Sequence, residues 1–401
     1  MTASNPAIAA AAAGGNVMPT YGRQQIAFVR GEGNYLIDTE GKRYLDALAG
    51  VAVNALGHSH PGFIQALTQQ LGTLVHTSNH YEIPLQTELA ATLCKRSGME
   101  RVFFCNSGTE SIEAAIKIAR KYGHNKGVTL PRILVTEGSF HGRTMGALTA
   151  THSPKYQEGF GPLLDGFVRV PYNDIAAIKA AIAATPQLVA ILVEPVIGEG
   201  GVYTPADDYL NELRALCDQH DLLLMLDEVQ TGNGRTGKFF AYQHNGILPD
   251  VLSTAKGLGN GYPIGACLTR GKANVLQAGH HGSTFGGSPL ACAAGLAVYK
   301  ALVDEDLVNN AAQRGAQIDN GLRKALNGCK HVREIRSKGL MIGVELDRPC
   351  RELVQAARDK GLLINVTADT IVRLVPPLTL SEQEADFIVS VVGKIVRDFV
   401  Q

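Results

Sequence analysis

Lys256 lies in the run Leu252-Ser253-Thr254-Ala255-Lys256-Gly257-Leu258-Gly259, 29 positions beyond Asp227, which stands in Leu226-Asp227-Glu228-Val229-Gln230-Thr231-Gly232. A lysine amine among small residues is free to condense with a carbonyl carbon, and an acid brought to the same pocket can pair with a protonated ring nitrogen. Together they suit a lysine that forms a Schiff base with pyridoxal phosphate and an aspartate that partners its pyridine nitrogen. Either residue alone reads equally as a surface lysine or a strand-end acid. The chemistry therefore rests on what else the chain brings to the same place.

In open α/β sheets ligands gather beyond the carboxyl ends of the strands, and four apolar runs here end in polar residues. Val102-Phe103-Phe104-Cys105 leads into Asn106-Ser107-Gly108-Thr109-Glu110 and a helical pattern with Ile112, Ala115, Ile116 and Ala119. Ser107 or Thr109 can cap that helix, whose free first-turn N–H groups form an anion site suited to phosphate; a plain capped helix is the other reading. Ile133-Leu134-Val135 leads to Gly138-Ser139-Phe140-His141-Gly142-Arg143. Phe140 can lie on a planar ring or belong to the core, while Arg143 can offer a two-pronged donor to a carboxylate.

Residues 190–193 end in Glu194-Pro195 and then Gly198-Glu199-Gly200-Gly201, where Glu199 is free either to approach a ligand or to sit as a turn acid. The five apolar residues 222–226 open into Asp227 and Glu228, and a buried acid stays ionised only with a partner. A pyridinium is such a partner, with Val229 and Phe140 packed on the two faces of its ring. Ser283 and Thr284 lie in a glycine-rich loop before a helix, again a composition that suits phosphate. Arg373 interrupts the apolar run Ile371-Val372-Arg373-Leu374-Val375, where a charge is costly unless it binds an anion or an internal ion-pair partner.

Metal and serine-nucleophile chemistry lack the spacing they need. His58 and His60 have neither an HExxH pattern nor cysteine partners, so no metal site is expected and both read as loop or capping histidines. No GxSxG elbow occurs.

The elements that must hold these residues alternate. Short β segments over 28–45, broken by turn residues, precede helical patterns over 63–74 and 84–95 and then strands alternating with helices. That alternation predicts a mostly parallel sheet covered on both faces. From about residue 290 come two long helical stretches, β segments at 332–335, 341–346 and 371–374, and a last helix after Ser381, a mixed α+β pattern. With 401 residues, 45% hydrophobic, the chain is long enough for two domains.

Lys plus Arg equals Asp plus Glu at 37 each, so no global field draws the protein to nucleic acid or membrane, and small molecules are the expected partners. Seven scattered cysteines without a CxxC pair argue for a reducing, cytoplasmic setting. The alanine-rich residues 7–13 lack a basic flank and read as a frayed tail rather than a signal peptide.

Taken together, these segments resemble the class III, ω-amino group of pyridoxal-phosphate aminotransferases of fold type I. The likeness runs from Met18-Pro19-Thr20-Tyr21 to Arg373 before Pro376-Pro377. Within that group, residues 18–33 are most similar to members acting on acetylornithine in arginine biosynthesis. The resemblance implies an α/β fold: a large cofactor-binding domain over 57–289 with a mostly parallel mixed sheet, a smaller α+β domain over 290–401, and residues 1–56 packing with the latter. It implies that Lys256 carries the cofactor and shuttles the proton, that Asp227 pairs the ring nitrogen, and that Gln230 meets the ring hydroxyl. Phe140 and Val229 would sandwich the ring. Ser107, Gly108 and Thr109 would hold the phosphate, with Thr284 reaching it from a second copy in a homodimer with shared sites.

Arg143, with Ser283 beside it, would take the α-carboxylate of an acylated diamine amino acid. Arg373 would take that of 2-oxoglutarate and be covered by Glu199 in the other half-reaction. Ornithine aminotransferases carry a tyrosine where this chain has Val51, which leaves room for an acylated amine. Succinylornithine, N-succinyldiaminopimelate, ornithine and 4-aminobutyrate remain alternatives, as does a fold-type-I isomerase or decarboxylase, which would keep Lys256 and Asp227 without needing Glu199 and Arg373.

Overall fold

All six residues of Leu188–Val193 and all five of Leu223–Asp227 are buried, because the sheet they form is covered on both faces. In the computed structural model, which describes residues 16–400, the strands run as follows. They are β1 Phe28–Glu32, β2 Tyr35–Asp38, β3 Arg43–Asp46, β4 Arg101–Cys105, β5 Arg132–Thr136, β6 Phe167–Val170, β7 Leu188–Val193 and β8 Leu223–Asp227. There follow β9 Val251–Thr254, β10 Gly265–Thr269, β11 Val332–Lys338, β12 Met341–Leu346, β13 Leu362–Leu363, β14 Asn365–Thr367 and β15 Ile371–Leu374. The alanine-rich start lies outside the described residues.

The central sheet has seven strands in the order β4-β10-β9-β8-β7-β5-β6. β10 runs antiparallel to both of its neighbours, and the other pairings are parallel, so the sheet is α/β, mostly parallel and mixed. Its two faces feed two apolar cores by the period-two alternation of a strand: Leu224 and Leu226 of β8 enter one, Leu223 and Met225 the other. The helix Gly108–Asn125 follows β4, presenting Ile112, Ala115, Ile116 and Ala119 to the second core as their helical spacing predicts.

β1, β2, β3 and β13 form a second sheet in which Leu362 and Leu363 pair in parallel with Leu45 and Asp46. β11-β12-β15-β14 form a third, wholly antiparallel. Leu45, Ala47, Ala55 and Leu56 share a core with Leu340, Leu353, Leu374 and Ile388. The helix Pro289–Asp304 serves two cores: Ala291, Cys292 and Tyr299 pack with the central sheet, Val298, Ala301 and Leu302 with the C-terminal part.

Between β3 and the first long helix, Ala49, Gly50, Val51 and Ala52 all take left-handed backbone angles, with φ of 49°, 64°, 65° and 64°. For non-glycine residues this conformation costs about 1–2 kcal/mol each. Asp46 holds the turn: its Oδ1 accepts from Leu48 N (3.1 Å) and Ala49 N (2.8 Å), and its Oδ2 from His58 Nε2 (2.9 Å). His60 caps the helix Pro61–Leu71, its Nδ1 accepting from Phe63 N at 3.3 Å.

Candidate active site

The polar strand ends converge on a cavity of about 380 Å³, within the usual range for a small-molecule site. Gly108 and Thr109 reach it from beyond β4, Phe140 and Arg143 from beyond β5, Val229 and Gln230 from beyond β8, and Lys256 from beyond β9. Ser107 lines it too while capping the helix Gly108–Asn125, its Oγ accepting from Glu110 N (3.3 Å) and donating to Glu110 Oε2 (2.9 Å). The first-turn N–H groups of Gly108 and Thr109 have no intrahelical acceptor. Gly108 must be glycine because a Cβ there would lie 2.7 Å from Val229 Cγ1.

Lys256 sits at φ 44°. Burial, and then the charge of Arg373, lowers its amine to about 8, against the pull of Glu199, Asp227 and Glu194. For a depressed lysine the unfolded chain holds the extra proton between about 8 and the ordinary 10.5, so stability rises as pH climbs through that window. In the cofactor-free protein Lys256 is expected to react with an amine-selective acylating reagent before the surface lysines, with a half-maximal rate near pH 8. Peptide mapping of the labelled lysines checks this; uniform labelling whose rate still climbs at pH 10 would contradict it.

Asp227 also lines the cavity and is buried. Its Oδ2 accepts from His141 Nδ1 at 2.8 Å and its Oδ1 from Val229 N at 3.0 Å, leaving lone pairs for one more donor. Beside it lies Glu194, whose Oε1 accepts from Phe140 N (2.8 Å) and Oε2 from Gly198 N (3.1 Å). Burial, then the Asp227 charge, raises Glu194 to about 7, while His141 and the two N–H donors work against the shift. Gln230 Oε1 and His141 Nε2 are buried without a protein partner.

Arg143 is exposed at the cavity edge, its guanidinium carbon 3.6 Å from the centroid of the Tyr156 ring and 5.7 Å from that of Phe140. Arg373 is only 1% exposed, yet its Nη1 donates to Glu199 Oε2 (2.8 Å) and Gly198 O (3.2 Å), and its Nε to Asn365 Oδ1 (3.1 Å). The Glu199 side chain is 34% exposed, so one partner of this pair is fixed and the other has a route to solvent.

Two expectations change. Within its own chain Ser283 does not turn to Arg143: its Oγ accepts from Asn106 Nδ2 (3.2 Å) and Gly286 N (3.1 Å), satisfying its own loop and the end of β4. Val53 rather than Val51 is among the cavity's lining residues, and Val51 sits in the left-handed turn at φ 65°. Thr284, expected to reach the phosphate of a second copy, is exposed and does not line the cavity of its own chain. His141, Glu194 as a link between two loops, and Tyr156 were not legible as site residues; only the polarity of the strand ends hinted at the first two.

A family model for class-III aminotransferases matches residues 17–396. The chain belongs to the class-III aminotransferases. The acetylornithine aminotransferase of Nitrosomonas europaea is 51% identical over 387 residues, 96% of this chain and 98% of that one. The acetylornithine aminotransferase of Methanothermobacter thermautotrophicus is 47% identical over 95% and 96% of the two chains. Among solved structures, an ornithine aminotransferase of Toxoplasma gondii with PLP at partial occupancy in its active site superposes with a TM-score of 0.94 at 32% identity, covering 99% of this chain and 96% of that one. The acetylornithine aminotransferase of Elizabethkingia anophelis gives 0.85 at 34%, covering 96% of each.

A class-III aminotransferase works with pyridoxal phosphate, and the cavity fits that group. It offers a depressed amine, a buried carboxylate with spare lone pairs, an unpartnered Gln230 Oε1 able to accept from a ring hydroxyl, and a helix start whose Gly108 and Thr109 N–H groups are free for phosphate. Among the described residues no helix is long and apolar enough to cross a membrane.

Proposed function

We propose that this aminotransferase moves the terminal amino group of N2-acetyl-L-ornithine to 2-oxoglutarate, giving N-acetyl-L-glutamate 5-semialdehyde and L-glutamate. The observation that carries the reading is the buried Arg373 held by the part-exposed Glu199 at 2.8 Å. One pocket must accept a terminal amine in one half-reaction and an α-amino acid in the next. An acid that cancels the arginine for the first and leaves for the second meets both needs. The acetylornithine-type relatives support the choice of donor.

When bound, the cofactor supplies an aldehyde that accepts the amine and a ring that withdraws electrons from the reacting carbon. Lys256 would hold the cofactor and, as a free amine, would hold the transferred proton at its Nζ. Asp227, oriented by His141, keeps the ring nitrogen protonated. Gln230 orients the ring, Phe140 and Val229 hold its two faces, and Ser107, Gly108 and Thr109 bind the phosphate. Arg143 takes the α-carboxylate of acetylornithine and the distal carboxylate of 2-oxoglutarate, whose α-carboxylate goes to Arg373.

The same reading makes the enzyme a cytoplasmic homodimer, in which the exposed loop bearing Ser283 and Thr284 completes the site of the neighbouring copy. It divides the chain into a large domain over 57–289 and a smaller one over 290–401 joined by residues 1–56.

A panel of acylated and free diamines with 2-oxoglutarate, ranked by kcat/KM, tests the reading. Acetylornithine is expected to rank first; a higher value for succinylornithine, N-succinyldiaminopimelate, ornithine or 4-aminobutyrate would replace it. Tyr156 gives a second check, because the Arg143 guanidinium carbon lies over its ring, 3.6 Å from the centroid. Tyr156→Leu is expected to raise KM for both carboxylate substrates about three- to tenfold with little change in kcat, while Tyr156→Phe stays near wild type. Steady-state kinetics decide it, and an unchanged KM in Tyr156→Leu would disprove the stacking role.

A further inference from the structure

Arg336 of β11, Gly343 of β12, Arg373 of β15 and Asn365 of β14 are opposite one another in register, so they form one row on one face of the C-terminal sheet. Thr367 lies two residues beyond Asn365, on the same face. That face lies against residues 198–202, the segment that carries Glu199.

Four carbonyls of the segment are held by this sheet. Gly198 O accepts from Arg373 Nη1 (3.2 Å), Glu199 O from Thr367 Oγ1, Gly201 O from Arg336 Nη2 (2.9 Å) and Val202 O from Arg336 Nε (3.2 Å). From the other side Gly198 N donates to Glu194 Oε2, and Ile197 and Tyr203 exchange two backbone bonds of 3.0 Å. Glycine at 343 permits the close approach, since a Cβ there would lie 3.1 Å from Val202 Cβ. Arg336 is 5% exposed and is itself braced, its Nη1 on Glu334 (2.6 Å) and Glu345 (2.5 Å) and its guanidinium carbon 4.1 Å from the centroid of the Tyr203 ring.

We propose that Thr367 and Arg336 are positioning residues of the Glu199 gate: they clamp the backbone of residues 198–202, so Glu199 uncovers Arg373 by turning its side chain on a fixed main chain. The proposal rests on the reading of Glu199 and Arg373 as a gated carboxylate site. A fixed main chain sets how well the acid covers the arginine. Loosening it weakens the cover, which harms the half-reaction that needs the arginine cancelled and spares the one that needs it free.

Thr367→Val removes the hydroxyl and keeps the shape; Thr367→Ser restores it; Arg336→Lys weakens the second grip. Single-turnover rates are measured separately with acetylornithine and with 2-oxoglutarate, and backbone amide exchange is followed over residues 198–203 by mass spectrometry. In Thr367→Val the donor half-reaction is expected to fall about three- to tenfold in efficiency, with the 2-oxoglutarate half-reaction unchanged or improved and exchange faster over 198–203. Arg336→Lys is expected to shift the ratio the same way, and Thr367→Ser to return it to wild type. Equal losses in both half-reactions, or an unaltered ratio and exchange in both Thr367→Val and Arg336→Lys, would overturn the clamp. Glu199→Gln separates the two levels: if it leaves the ratio unchanged the gate reading itself fails, whereas if it shifts the ratio and Thr367→Val does not, only the clamp fails.

Discussion

Lys256→Ala is expected to lower kcat by at least about four orders of magnitude, because no other group at the cavity can supply both a covalent anchor and a proton carrier. Lys256 is the single lysine among the cavity's lining residues, and the environment that lowers its amine to about 8 belongs to that position alone. The variant keeps Asp227, Gln230 and the helix start at Gly108, so pyridoxal phosphate is expected to stay bound by non-covalent contacts. Borohydride then traps no cofactor on the protein, and absorption shows the free aldehyde form. Cofactor still fixed by borohydride after the substitution would place the anchor elsewhere and sink the assignment. Added methylamine is expected to return part of the proton-transfer rate, since the missing group is a small amine in a cavity with room for one.

Arg373→Ala is expected to cut kcat/KM for 2-oxoglutarate by about 10²–10³-fold while the donor half-reaction falls less than about tenfold. The asymmetry follows from geometry. Arg373 is buried and aims Nη1 at Glu199 Oε2, so in the donor half-reaction its charge is already cancelled. Removing it then costs mainly the hold on Gly198 O and on Asn365. In the acceptor half-reaction the same guanidinium is the proposed ligand for the α-carboxylate, and nothing replaces it. Arg373→Lys is expected to fall between, because an ammonium cannot present the planar fork a carboxylate prefers. Half-reaction spectroscopy with each substrate alone is the measurement, and equal losses on both sides would refute the role.

The strands that are unbroken apolar runs were legible because both of their faces are buried: β5, β7 and β8 need no alternation to be recognised. β6, β9 and β10 were not, being four or five residues long and, in β9 and β10, rich in Ser, Thr, Gly and Cys that read as loop. Yet β9 leads directly to Lys256. Lys256, Asp227, Phe140, Gln230 and Arg143 could be picked out because each stands where a polar residue interrupts an apolar or glycine-rich pattern, and they line one cavity. His141 escaped because its significance is a contact across 86 positions with Asp227, and Tyr156 because stacking on Arg143 leaves no local pattern. Ser283 does not meet Arg143 of its own chain for a related reason. A hydroxyl in a glycine-rich loop suits a ligand, but it suits the backbone of its own loop as well, and Ser283 Oγ accepts from Gly286 N.

The helix Pro289–Asp304 sends Ala291, Cys292 and Tyr299 into the core of the central sheet and Val298, Ala301 and Leu302 into the C-terminal core. Two hydrophobic interiors nailed to one rod melt together: neither can come apart without stripping a face of the helix that the other depends on. Denaturant unfolding followed by helix content and by tyrosine fluorescence should therefore trace a single cooperative transition. The site inherits that unity, since Lys256 stands just beyond β9 of the central sheet and Arg373 on the C-terminal one, and both belong to the same cooperative unit.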